Sequence, residues 1–562
     1  MVTLEAPVAH RTFDPLACDS AGHSVCYGPV TASRDTPASR LSDERFDVLV
    51  IGAGITGACI ALEASSRGLR VALVDRNDFG AGATANCLRI VHGGLRYLQH
   101  LDFRRARESI RERRMWLRSA PHLVDPLPTV VPTIRGTFPP RPLLAAALTV
   151  NDLLSADRNV GVSADRHLPD FRALTRDETR ELVPYFDDAR LTGGVLFHDA
   201  LMYSPERLTL EVIGAARSRG AIAANHTALD SVRREADGFT SMLRDLISGD
   251  QFAVRSKSIV NATGANVNDV VHTITGAAPR QPTRYSIAMN LVTARPWEGP
   301  AFATVGGIGD PDRLIETGRR LFVVPWRGQQ LFGTAHFPFT GNESSPTLPD
   351  ELLDAFLREL REGTPSMDVS RDDVRVVQWG LLPVAGDDPH RVRLLKRHTV
   401  IDHAAEGAPG AWSVVSIKFT NARHVASDVV DRLTSRRRSS DEFLPLPGRI
   451  ADSVPSVVDA ARRQHPALPA DVVEHLVRSY GTRFEHVIQL AHRIPAGFDR
   501  VSPAAPVIAG QLAFGALEED GRTEDDLLWR RTELGARGLV TPDARRAARE
   551  ALRTAGHPVT AS

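Results

Sequence analysis

From Phe46 to Asp75 the chain holds an apolar strand, a G-x-G-x-x-G turn, a helix and a second strand that ends in an acid. Phe46 to Ile51 is a short run rich in β-branched residues, and Gly52, Gly54 and Gly57 follow it. Ala58 to Arg67 reads as helix and Leu69 to Val74 as strand, closed by Asp75. Each part has a physical task in binding a dinucleotide. Gly52 permits the tight turn, Gly54 lets the backbone approach a pyrophosphate, and Gly57 lets helix pack on strand. The helix N-terminus offers amide N–H groups and a partial positive charge to phosphates. Asp75 stands where a carboxylate accepts hydrogen bonds from ribose hydroxyls. Glycines also mark ordinary turns, so the spacing gains its force from the strand, helix, strand and acid in register. The expected fold class is α/β, with a Rossmann-like domain.

At 562 residues the chain has room for two or three domains. Its 68 basic and 68 acidic residues balance, so no global field favours nucleic acid. Only three of the basic residues are lysines (Lys257, Lys396 and Lys418), which gives each compact, titratable ammonium some interest. The cysteines Cys18, Cys26, Cys59 and Cys87 lack metal-ligand or redox spacing, and a reducing cytoplasm is expected. No metal site is expected. No apolar stretch reaches the roughly 18 residues of a membrane-spanning helix.

Residues 1–44 are rich in Ser, Ala, Asp, Pro and Thr and read as a flexible extension. A basic helix is expected over Arg104–Ser119, followed by proline punctuation at Pro126, Pro128, Pro132 and beyond. Leu143–Leu154 reads as a short helix whose apolar start favours the core, with contact to a bilayer surface as the alternative. Ser258–Gly264 is a strand ending in small residues, which admits a cofactor closely. Residues 283–340 alternate as strands, with Arg320–Trp326 and Gln330–Thr334 as neighbours in an inserted antiparallel sheet. Arg436–Glu442 is a polar linker, and the chain is helical from Pro455 to Leu552.

A second motif follows Asp75. Gly80-Ala-Gly-Ala-Thr-Ala-Asn86 is a glycine-rich loop, and Arg89-Ile-Val-His-Gly-Gly-Leu-Arg-Tyr-Leu98 comes directly after it. Two glycines beside a histidine and an arginine suit a backbone lying under a flavin ring; a turn with a surface arginine fits the composition equally. The run Val91–Leu98 resembles the most characteristic string of the FAD-dependent glycerol-3-phosphate dehydrogenases. That family shares its FAD fold with D-amino-acid oxidase. Ala120-Pro-His-Leu123, Val260-Asn-Ala-Thr-Gly264, Val324-Pro-Trp326, Gly333-Thr334, Lys396-Arg-His398 and Ser416-Ile-Lys-Phe-Thr-Asn-Ala-Arg423 extend the resemblance. Tyr480-Gly-Thr-Arg483 and Asp525-Asp526-Leu-Leu-Trp-Arg-Arg-Thr532 are similar to the family's helical cap.

The resemblance implies an FAD-dependent oxidoreductase region over 45–435, its substrate sheet largely within 280–375, and a C-terminal helical domain over 445–555. It implies FAD held by Gly52, Ala53, Gly54, Ile55, Thr56, Gly57, Asp75, Arg76 and Thr84. His92, Gly93, Gly94, Ala262, Thr263, Gly264, Ile417 and Lys418 complete that set. The implied reaction oxidises sn-glycerol 3-phosphate to dihydroxyacetone phosphate by hydride transfer to flavin N5. His92 and His398 are candidate bases, Arg96 and Arg397 candidate anion holders, and Lys418 a cation for the flavin N1–O2 edge.

Several positions depart from the family's pattern. Its Gly-Val-Arg-Pro-Leu reads Gly380-Leu-Leu-Pro-Val384, so a substrate-facing arginine becomes Leu382. Its Ser-His reads Ser286-Ile287, its Gly-Thr-Thr-Asp reads Gly333-Thr-Ala-His336, and its Gly-Gly-Lys reads Ser416-Ile-Lys418. Losing an arginine fork from a dry phosphate site costs on the order of 2–5 kcal/mol. Either Arg89, Arg96, Arg284 or Arg397 compensates, or the substrate differs. Three functions stay open: the glycerol-3-phosphate dehydrogenase, a flavin enzyme acting on another phosphorylated or carboxylated alcohol or amine, and a non-catalytic flavin-binding homologue. The expected partners are a small-molecule substrate and an electron acceptor, a quinone or another, with no nucleic acid. A cytoplasmic location is expected; peripheral contact with the inner face of the membrane and a homodimer are left open.

Overall fold

Four successive buried side chains, Val48 to Ile51, suit a central parallel strand covered on both faces, and Arg45–Ile51 (β1) is one. The computed structural model describes residues 36–42, 44–98, 101–136, 140–304, 320–386, 392–437 and 445–557. Gly52 leaves β1 with φ +98°, and the helix Ile55–Ser66 (α1) follows. Its small residues let it lie deep, against the helices Pro205–Arg217 and Ala422–Thr434. The chain returns as Val71–Val74 (β2), parallel to β1, with Ile51 opposite Val74. On the other side of β1 lies Gln251–Asn261, also parallel, with Ile51 opposite Asn261. The next strand in the chain and one about 200 residues away thus flank β1, and a crevice opens beyond the C-terminal ends of β1 and Gln251–Asn261.

The first described residues modify one expectation. Pro37–Ser42 is a helix rather than flexible chain, because Leu41 is buried against Phe46, Leu49 and their neighbours. Residues 1–35 lie outside the described part.

Among the described residues a nine-stranded sheet forms the second layer. The expected neighbours are present as Phe322–Trp326 and Gln329–Pro338, with Val323 opposite Phe332. Arg284–Thr293 runs antiparallel between Gln329–Pro338 and Val374–Val384. The sheet does not stop at the 280–375 region. It continues through Ala301–Ala303 to Val124–Ile134, Leu191–Met202 and Ile90–Val91. Pro126, Pro128 and Pro132 had read as punctuation, yet they sit inside Val124–Ile134, which pairs with Leu191–Met202 along its length. The three share one parity, so their missing N–H groups fall on one edge and the alternate residues keep the ladder.

The helix Arg141–Leu154 corrects the expectation of a core helix. Only Leu144 and Leu148 are buried, among Val131, Val195 and Phe197. Leu143, Val150 and Leu153 point outward, at 47, 39 and 74% exposure. From residue 445 the described chain is helical, with a π-turn at Asp526–Arg531. Buried ion pairs tie this part to the rest: Arg207 donates to Glu519 at 2.9 Å, and Arg327 pairs with Glu533 at 2.8 Å. The polar linker Arg436–Glu442 falls mostly outside the described residues.

Candidate functional site

A cleft of about 690 Å³ runs from the end of β1 to the second sheet. At its near end a Cβ on Gly52 would lie 2.6 Å from the Ala262 carbonyl oxygen, and one on Gly57 only 1.8 Å from the Gly52 carbonyl. These two glycines are required by the fold itself. Gly54 differs, since its Cβ would meet nothing closer than Thr84 Oγ1 at 3.1 Å. Gly54 itself lines the cleft. No side chain caps α1 at Gly54, while Ile55 N–H donates to Thr84 Oγ1 at 3.0 Å.

Asp75 lines the cleft with Arg76, and its carboxylate accepts from Ala53 N–H at 2.6 Å and Asn77 N–H at 2.8 Å. Burial pushes this carboxyl up to about 6, against the two amides that hold it down. Opposite Gly52, the turn Ala262–Gly264 is pinned by buried Asn261. Its Nδ2 donates to the Val267 carbonyl at 2.9 Å and its Oδ1 accepts from Thr263 Oγ1 at 2.7 Å. The asparagine of the Asn-Ala-Thr-Gly string therefore shapes the floor, and Ala262, Thr263 and Gly264 line the cleft.

At the far end Ile90–Val91 delivers His92, whose Nδ1 lies 3.1 Å from Asp199 Oδ2. Asp199 Oδ1 accepts from Gly93 N–H and from Arg113, both at 2.7 Å. Burial raises the Asp199 carboxyl, but His92, the Arg113 guanidinium and the Gly93 amide outweigh it and hold it below its ordinary value. A carboxylate at Nδ1 fixes the proton there and leaves Nε2 as the acceptor on the ring's other edge. Gly93 is bare for the same reason: a Cβ would stand 2.2 Å from Arg113 Nη1. Gly94, at φ +82°, packs on Ser109 and Tyr97.

Lys418 stands between two clefts. It lines the first beside Ile417, hydrogen-bonds the Tyr97 hydroxyl, and lies 4.1 Å from that ring's centroid. It also borders a second, more basic cleft of about 890 Å³ that shares Ser416 and Ile417. Arg397 and His398 line this second cleft and not the first. Arg397 is largely exposed, 3.9 Å from Asp102 Oδ2, and His398 Nε2 sits 3.1 Å from Asp428 Oδ2. The side chain of Arg96 lies outside the described residues.

Of the departures, Leu382 lines the first cleft, whereas Ile287 is buried with Tyr285, Leu381 and Val415. His336 faces Ala288 across the ladder and lies outside the lining. Arg89 borders the first cleft, but its side chain is fully buried, 3.9 Å over the Trp326 ring and 3.3 Å from Glu206 Oε1, so it is turned to these partners rather than to an anion. Arg284 lines neither cleft. Sequence reasoning missed Asp199 and Arg113, which no local motif marks. It also missed Asn290, which lines the cleft and accepts from Thr334 Oγ1 at 2.8 Å; the string Gly333-Thr334 was the available signal.

Residues 47–416 match the family described as FAD dependent oxidoreductase, and residues 440–557 match the C-terminal domain of alpha-glycerophosphate oxidase. A glycerol-3-phosphate dehydrogenase of Synechocystis is 28% identical over 524 residues, 90% of this chain and 91% of that protein. Glycerol-3-phosphate dehydrogenase 2 of Mycobacterium tuberculosis is 28% identical over 535 residues, 91% of this chain and 84% of its own. The fold is similar to the FAD-complexed glycerol-3-phosphate dehydrogenase from Bacillus halodurans. That likeness has a TM-score of 0.68 at 22% identity, over 92% of this chain and 96% of that one.

Proposed function

The chain belongs to the FAD-dependent oxidoreductase family, and on that premise we propose that it oxidises sn-glycerol 3-phosphate to dihydroxyacetone phosphate. FAD is its cofactor, and the residues present fit that group. Gly54 leaves the turn open to a pyrophosphate, Asp75 offers a carboxylate to ribose, and the cleft ends among polar side chains. The observation that carries the reading is that His92, backed by Asp199, lines the same cleft as the glycine turn. Bound there, FAD supplies a hydride acceptor at N5.

His92 Nε2 takes the substrate's hydroxyl proton, and the charge it gains is balanced by Asp199, itself fixed by Arg113. Lys418 presents an ammonium to negative charge at this end of the cleft. Leu382 and Trp379 give the substrate end an apolar wall, which strengthens each charge interaction nearby. With leucine at 382 the phosphate lacks a guanidinium on that wall, and Lys418, which lines the same cleft, holds it.

Steady-state turnover with an artificial electron acceptor tests this arrangement. Leu382→Arg is expected to lower KM for sn-glycerol 3-phosphate by about tenfold or more and to change kcat less. An unchanged KM would place the phosphate elsewhere. A second reading keeps FAD and changes the substrate to another phosphorylated or carboxylated alcohol or an amine; the uncharged wall at Leu382 favours it. Wild-type turnover of such a compound but not of sn-glycerol 3-phosphate would establish that reading.

The surface supports peripheral attachment to a membrane. Among the described residues no helix is long and apolar enough to cross one. Yet six of the seven exposed large apolar side chains among the described residues fall between residues 101 and 160, and three of them, Leu143, Val150 and Leu153, lie on the one helix Arg141–Leu154. Exposed Arg141 begins the same helix, and an apolar helix side with a nearby cation suits an anionic interface. A quinone in that bilayer is then the electron acceptor. The protein is expected to sediment with vesicles containing an anionic lipid, and Leu143→Ser with Leu153→Ser to weaken this about tenfold or more. Equal sedimentation of both proteins would contradict the assignment.

A further inference from the structure

The string Asp525-Asp526-Leu-Leu-Trp-Arg-Arg-Thr532 takes no part in the chemistry above, and neither Asp526 nor Arg531 lines the cleft. Both reach the back of its nucleotide end. They bound the π-turn Asp526–Arg531, a rare backbone form that tends to mark functional positions. Arg531, 1% exposed, donates to both oxygens of Asp78 at 2.5 and 2.9 Å, and Asp78 is itself 4% exposed. Arg531 is braced in turn by the Glu519 carbonyl, at 2.9 and 2.7 Å. Asp78 closes the loop whose preceding residues Asp75, Arg76 and Asn77 line the cleft.

The neighbouring loop is gripped in the same way. Asn225 Nδ2 donates to Asp78 Oδ1 and to the Asp520 carbonyl, both at 2.8 Å. His226 Nε2 lies 2.8 Å from Asp526 Oδ2. The His226 backbone has φ +49°, a conformation that a residue with a side chain holds only when its surroundings impose it. His226 N–H donates to the Asn77 carbonyl at 3.0 Å. The next residue, Thr227, lines the cleft and donates its N–H to the Asp75 carbonyl at 2.7 Å. The ligand atoms of Asp78, His226 and Asp526 lie within 4.8 Å of one another. The Arg531 guanidinium already supplies a cation to Asp78, so the group works as a lock of one ion pair and its hydrogen bonds.

We propose that the C-terminal domain is part of the cofactor-binding apparatus, with Asp526 and Arg531 as positioning residues that hold both loops at the FAD ribose end. The inference rests on the FAD reading given above. Its physical content is a coupling: what loosens the π-turn loosens Asp75, and FAD binding tightens the domain junction by the same factor.

The test uses the full-length protein stripped of FAD. Flavin fluorescence gives the Kd for FAD of wild type, Arg531→Lys and Asp526→Asn, and thermal unfolding is followed with and without FAD. Arg531→Lys keeps the charge but loses the fork on Asp78. Both variants are expected to raise Kd about tenfold or more and to shrink the increase in Tm that FAD brings. A merely structural role lowers Tm equally with and without FAD and leaves Kd unchanged, and that result overturns the proposal. Should the buried substitutions fail to fold, His226→Gln, at a half-buried position, is expected to raise Kd in the same direction, and an unchanged Kd there likewise overturns it. Wild-type protein that binds no FAD would overturn the reading of the cleft itself, a separate outcome.

Discussion

Asp199→Asn is expected to lower kcat by on the order of 10²–10⁴ while the protein still binds FAD. The carboxylate lies 3.1 Å from His92 Nδ1, so it holds the ring's proton on the side away from the substrate. An asparagine there can donate its amide to Nδ1, which moves the ring proton to Nε2 and removes the acceptor. His92→Asn should fall by a similar factor, and the double variant little further, because the two residues act as one unit. Asp199→Asn also leaves Arg113 with the His198 carbonyl, at 2.7 Å, but without its carboxylate partner, so some loss of stability is expected as well. Rates measured on folded, FAD-loaded protein separate the two effects. A His92→Asn enzyme within a few-fold of wild type would remove the histidine from the chemistry.

The second large effect is at Gly54. Its φ of −66° suits any residue, and a Cβ there meets only Thr84 Oγ1, at 3.1 Å. Gly54→Ala is therefore expected to fold once FAD is removed, with a modest loss of thermal midpoint because Thr84 Oγ1, which holds the Ile55 N–H, has to shift. A methyl group in the pyrophosphate path should raise the Kd for FAD on the order of a hundredfold or more, about 3 kcal/mol. Gly57→Ala makes the contrast, since its Cβ would lie 1.8 Å from the Gly52 carbonyl and the fold itself should suffer. Gly54→Ala protein purified with a full complement of FAD would show that the pyrophosphate does not cross this turn.

What the sequence revealed and what it hid follow from how local each signal is. The glycine turn and Asp75 are read within one βαβ unit, so spacing alone located them. The strand Val124–Ile134 was missed because three prolines usually end a sheet, and only their common parity shows that one edge absorbs them. Asp199 was invisible because its partner lies 107 residues away on another strand. Arg89 looked available beside the histidine motif, but Trp326 and Glu206, both distant in sequence, enclose it. The helix Arg141–Leu154 was misjudged because apolar content does not say which face finds a partner. Arg397 and His398 were grouped with His92 by resemblance, whereas the fold sets them in the adjoining cleft.

Anaerobic mixing of the purified, FAD-loaded protein with sn-glycerol 3-phosphate, followed through the flavin's visible absorption, tests the central claim most directly. Full bleaching is predicted, at a rate no slower than turnover, with a matching yield of dihydroxyacetone phosphate. An absorption band that sn-glycerol 3-phosphate leaves unchanged, in protein that dithionite still reduces, would contradict it.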